Sequence, residues 1–105
     1  MIVGRRLYMR IALVCAAVIA AAPLAVSAQD AGRNLAASCA MCHGTEGRGA
    51  VGYEPLAGKA KGELVRKLTE FRSGVRPATV MHQISKGYTD PQIQLIAEYF
   101  SAQRK

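Results

Sequence analysis

The sequence predicts an all-α domain of three main helices joined by glycine-rich loops. Two observations carry this. Apolar residues recur at three- and four-residue spacing in three separate segments, as one buried helix face requires. No stretch alternates apolar and polar residues for long enough to build a half-buried strand.

Not all of the 105 residues belong to that domain. Met1–Arg10 carries Arg5, Arg6 and Arg10 with no acid, and the unbroken apolar run Ile11–Ala22 follows. Pro23 breaks the run, and Leu24–Ala28 ends in small residues. This is the pattern of an export leader, residues 1–28, cleaved after Ala28; the apolar run is too short for a comfortable bilayer span. No stable membrane span is expected once the leader has gone, and Cys15 leaves with it.

Residues 29–105 remain as one small domain. A chain this short buries little core and usually needs a disulfide, a metal or a cofactor as a staple. Its two cysteines, Cys39 and Cys42, lie three positions apart, and a disulfide between them would restrain almost nothing. The missing stability must come from something those cysteines hold. The whole chain has 14 basic and 7 acidic residues; once the three leader arginines are removed, a net charge of +4 remains. The basic residues are scattered, which suits an acidic protein partner or ordinary solubility and not a nucleic-acid surface.

The first helix is expected over Asp30–Met41, with Asp30 as its N-cap and Gly32, Leu35, Ala36 and Cys39 on one face. Gly44–Gly62 holds six glycines and Pro55, too many for a regular element. The second helix is expected over Glu63–Ser73, with Leu64, Val65, Leu68 and Phe71 as its stripe and Gly74 just beyond its end. Val75–Tyr88 reads as an extended strap with one helical turn. The last helix opens on Thr89, with Pro91 in its first turn and Gln92 three residues after the cap. Ile93, Ile96, Ala97 and Phe100 form its apolar face.

Cys39-Ala40-Met41-Cys42-His43 carries the chemistry. Two thiols at this spacing, ending a helix, can add to the two vinyl groups of one haem, and the next residue brings an imidazole to the iron. A zinc site would need a further protein ligand and usually a second paired motif. A redox dithiol would want a βαβ setting, which the pattern lacks. The reading is therefore one covalent haem c, attached at Cys39 and Cys42, with His43 as an iron ligand. A second ligand must come from elsewhere, and the neighbours Met81 and His82 in the strap are the candidates.

With these features in place, nearly all of residues 29–105 resembles the class I cytochromes c. The shared order is helix, CxxCH, glycine-rich loop, helix, methionine strap and final helix. The resemblance implies the class I fold around one haem, with Met81 as the second axial ligand and a periplasmic electron carrier as the role. It implies that Gly32 and Tyr99 mark the crossing of first and last helices, and that the Pro55 carbonyl accepts a hydrogen bond from His43. The phrasing Phe71–Met81 and Ile84–Thr89 is similar to the cytochrome subunits of flavocytochrome c sulfide dehydrogenases. That implies a sulfide-oxidising, FAD-bearing flavoprotein as electron donor and a downstream electron acceptor, with catalysis in the partner. A freely diffusing carrier is the alternative. Arg72, Arg76 and Lys86 are candidates to neutralise haem propionates or face the partner, and each taken singly is read as solvated surface.

Overall fold

The computed structural model describes residues 23–105, so residues 1–22 of the expected leader lie outside the described residues. Four α-helices are present among them: α1 (Ala28–His43), α2 (Lys61–Ser73), α3 (Met81–Ser85) and α4 (Asp90–Ser101). A 3₁₀ turn at Thr45–Gly47 follows α1. There is no strand among the described residues, only an isolated bridge between Ala50 and Tyr53. The all-α expectation holds.

Helix α1 starts earlier and ends later than its apolar spacing suggested. Ser27, not Asp30, is the N-cap: its hydroxyl oxygen accepts from the Asp30 N–H at 3.1 Å and donates to the Asp30 carboxylate at 2.7 Å. Asp30 instead lies in the first turn, where its charge favours the helix dipole. The far end runs through His43 because Gly44, at φ 84°, provides the first backbone geometry a helix cannot continue. Helix α2 begins at Lys61 and stops where expected, at Gly74, whose φ of 82° is left-handed. Helix α4 opens with the predicted capping box: Gln92 N–H donates to Thr89 Oγ1 at 3.4 Å, and Thr89 N–H to Gln92 Oε1 at 2.9 Å.

Helices α1 and α4 cross, and Gly32 sets how closely. A Cβ on Gly32 would lie 2.7 Å from the Leu95 carbonyl oxygen and 3.2 Å from Tyr99 Cβ. The Gly32–Tyr99 crossing is thus as expected. The buried apolar residues are few: Ala36, Ala57, Leu64, Ile93, Ile96, Ala97 and Phe100. Phe100 also roofs the loop after α1. Gly47 lies under its ring, where a Cβ would come within 2.6 Å of Phe100 Cδ1, and its φ of 73° already excludes most side chains. The Gly47 carbonyl accepts from both Leu56 (2.7 Å) and Ala57 (2.9 Å) N–H groups, which closes this loop against α4.

Arg72 and Arg76 depart from the sequence reading. Both are partly buried and ion-paired, Arg72 to Asp90 and Arg76 to Glu70, whereas Lys86 is exposed as expected. Partners 18 and 6 positions away leave no periodic trace in a sequence.

Two substitutions check this packing. Gly47→Ala combines left-handed strain with a steric overlap and is expected to cost about 2–4 kcal/mol in denaturant unfolding of the holoprotein. Gly32→Ala meets a backbone oxygen but gains helix propensity, and should cost less, about 1–2 kcal/mol.

Candidate haem site

Three of the expected site residues come from one helix end. Cys39 and Cys42 stand near the C-terminus of α1, and His43 is its last residue. All three line a single cavity of about 290 Å³. Met81, the first residue of α3, lines the same cavity from the strap. The walls are mainly apolar: Leu56, Leu64, Leu68, Phe71, Ile96 and Phe100 contribute most of them. His82 is not part of the lining, because one residue along a helix turns the side chain by about 100°. Its Nδ1 is buried without a hydrogen-bond partner.

His43 is held in one orientation. Its Nδ1 lies 2.6 Å from the main-chain carbonyl oxygen of Glu54. A carbonyl can only accept, so Nδ1 carries the proton and donates, and Nε2 keeps its lone pair for a metal. The acceptor expected at Pro55 is therefore corrected: it is the carbonyl one residue earlier, that of the Glu54–Pro55 amide. Proline acts on it indirectly, by disfavouring helical geometry in the residue before it. Pro55 itself packs beside Gly49 and is exposed.

Three neighbours escaped sequence reasoning. The Tyr53 ring meets His43 edge-on, with centroids 6.0 Å apart and planes at 72°, and it also lines the cavity. Lys67 and Glu54 put the only acid–base pair on the wall. Lys67 Nζ donates to Glu54 Oε1 at 3.0 Å and pairs with Glu63 Oε1 at 3.2 Å, which holds its pKa up. Lys59 and then Lys67 hold the Glu54 carboxyl below the usual carboxylate range. An exposed tyrosine in a glycine-rich loop and charges on the flank of a helix carry no motif that would have singled them out.

The arrangement also bears on the rival chemistries. Burial pushes the Cys39 thiol up, the opposite of what a nucleophilic dithiol needs. Among the described residues no three His, Cys, Asp or Glu side chains converge to hold a bare metal ion. The donor set instead fits haem c: two thiols on one helix end, an imidazole with Nε2 free, a thioether from a separate element, and apolar walls between them.

Comparison with known proteins agrees. The cytochrome c family profile matches residues 29–103. The chain is 42% identical over 72 residues to the cytochrome subunit of sulfide dehydrogenase from Chlorobaculum tepidum, covering 69% of this chain and 66% of that protein. It is 36% identical over 67 residues to the thiosulfate dehydrogenase electron acceptor of Stutzerimonas stutzeri, covering 60% of this chain and 31% of that one. Its fold is similar to the solved cytochrome c4 of Acidithiobacillus ferrooxidans, with a TM-score of 0.65 and 32% identity over 71% of this chain and 49% of the other. The chain thus spans about two thirds of the first of these relatives and about a third of the second. With one Cys39/Cys42 pair for one covalent haem c, this chain belongs to the cytochrome c family and is an electron-transfer protein.

Proposed function

We propose that this chain is the haem-carrying subunit of an exported, sulfide-oxidising flavoprotein system, with His43 and Met81 as axial ligands to the iron. One observation carries the ligand assignment: His43 and Met81 line the same apolar cavity as both thiols, each from a different element. Haem c supplies a one-electron ferric–ferrous couple.

The side chains around it have separable tasks. The Glu54 carbonyl fixes the His43 ring and strengthens its Nε2 as a donor. The Met81 thioether favours a high potential and leaves no position for substrate. Leu64, Leu68, Phe71 and Phe100 keep water from the centre. Met41 is 87% exposed between the two thiols, and Tyr53 and Val80 are exposed at the same cavity. That apolar rim is the face offered to a redox partner.

The flavoprotein reading draws on the Chlorobaculum tepidum relative and on the Phe71–Met81 phrasing. Oxidation of sulfide then belongs to the partner, and electrons leave to a downstream acceptor. The Stutzerimonas stutzeri relative favours a second reading, a free carrier in a sulfur-oxidation chain. Location in the periplasm accords with the leader pattern. Leu24 and Val26 are 99% and 74% exposed, so these two apolar side chains add nothing to the packed core. No helix among the described residues is long and apolar enough to cross a membrane.

Three measurements test this. Acid–acetone extraction of the purified protein should leave the haem spectrum with the polypeptide; release of the haem into the solvent would refute covalent attachment. Met81→Ala should abolish the charge-transfer band of a ferric haem with a thioether ligand, and His82→Ala should keep it. A tagged chain expressed in its own host should co-purify with a flavin-containing polypeptide, whereas recovery of the free cytochrome alone would favour the diffusible carrier.

A further inference from the structure

The strap that carries Met81, residues 75–88, is tied at both ends to the last turns of α2. At its entry the Arg76 guanidinium donates to Glu70 Oε2 through Nε (2.8 Å) and pairs with it through Nη2 (2.7 Å). The Arg76 N–H donates to the Glu70 carbonyl at 3.2 Å, and the guanidinium stacks 5.7 Å from the centre of the Phe71 ring. At the strap's exit Arg72 Nη1 donates to the Tyr88 carbonyl at 3.2 Å, while Nη2 pairs with Asp90 at the start of α4. The Tyr88 hydroxyl then reaches across to Ser38 on α1, 2.7 Å away.

Between these anchors the strap packs against α2, but none of its side chains hydrogen-bonds to another element. Helix α3 has five residues, and no side chain caps its first turn. Such a helix does not stand alone in water. On its inner side Ser85 Oγ and His82 Nδ1 are buried with no hydrogen-bond partner. The polar contacts that position Met81 therefore lie at the strap's ends. Glu70 and Arg72, two residues apart and opposite in charge, each take one end.

The Glu70 and Arg76 side chains are 28% and 33% exposed, so their pair is less screened than an ordinary surface one, whereas Arg72 is 28% exposed but its partner Asp90 is 81% exposed. The Arg76 guanidinium holds the Glu70 carboxyl below the usual carboxylate range, and Arg66 adds to this.

We infer that the Glu70–Arg76 and Arg72–Tyr88–Asp90 contacts form a two-point clamp that keeps the Met81 thioether in the haem cavity. Glu70, Arg72 and Arg76 are then positioning residues for the axial ligand, acting on how often it leaves. This rests on the proposed ligation by Met81.

Imidazole binding to the ferric holoprotein reads the clamp directly. Imidazole must displace the thioether, so its apparent affinity rises in proportion to the fraction of molecules in which Met81 is away. Arg76→Gln and Arg72→Gln are each expected to bind imidazole about two- to fivefold more tightly than the parent, measured well below their unfolding temperatures. Arg76→Lys and Arg72→Lys should restore part of the difference. Asp90→Asn, which alters only the exposed partner of Arg72, makes the same test if Arg72→Gln does not fold. Unchanged imidazole affinity in Arg76→Gln and in the Arg72 or Asp90 variant, whatever their thermal stability, would overturn the clamp. Met81→Ala is the reference. If the parent binds imidazole as tightly as Met81→Ala and lacks the thioether band, the ligand assignment fails and the clamp fails with it.

Discussion

A cavity occupies the place where a small helical domain would ordinarily put its core. Of the seven buried apolar residues, Leu64, Ile96, Ala97 and Phe100 also line the cavity of about 290 Å³. Voids in protein interiors cost about 24 cal/mol per Å³, so a void of this size left bare would cost at most about 7 kcal/mol. That is comparable to the entire stability of a small domain. Helices α1 and α4 cannot approach further to fill the space, because their crossing at Gly32 is already in backbone contact. The loop after α1 is likewise pinned under Phe100 at Gly47. The cofactor is thus a structural requirement as well as a functional one, and the Cys39/Cys42 pair does for this fold what a disulfide network does for small disulfide-rich domains.

How much of this could be read from the sequence follows a physical division. Features set by neighbouring residues were legible. Thr89 and Gln92 announce a capping box because both hydrogen bonds lie within one turn, and Gly74 announces an end because only its own φ matters. The Cys39–Cys42–His43 constellation is local for the same reason. Features set by a remote backbone atom were not. The acceptor for His43 Nδ1 is a carbonyl, and every residue has one, so side-chain identity could place it near Pro55 but not on Glu54. Serine and aspartate both cap helices well, so residue type alone does not separate Ser27 from Asp30; their mutual hydrogen bonds do. The roles of Arg72 and Arg76 depend on tertiary pairs, and a charge on a helix flank reads the same whether it is solvated or tied down.

The two proposed axial ligands are held in unequal ways. His43 closes a sixteen-residue helix, follows a covalent attachment point by one residue, and is fixed at Nδ1 by Glu54. Met81 opens a five-residue helix within a strap whose fixed points lie five positions before it, at Arg76, and seven after, at Tyr88. Any motion of the strap acts on Met81 first and leaves His43 in place. The inequality has a chemical consequence. An electron carrier needs its coordination unchanged between oxidation states, since ligand loss would add reorganisation to each transfer and lower the potential. The weak point of the site is therefore the strap, and the Glu70–Arg76 and Arg72–Asp90 pairs stand at its two ends. Evolution could have stiffened the strap with apolar packing, but its outer residues Val75 and Val80 face solvent at 77% and 57% exposure, where apolar contacts are not available. At a partly exposed edge beside a partner-facing rim, charged pairs anchored in the last turns of α2 secure the ligand without covering the surface through which electrons must pass.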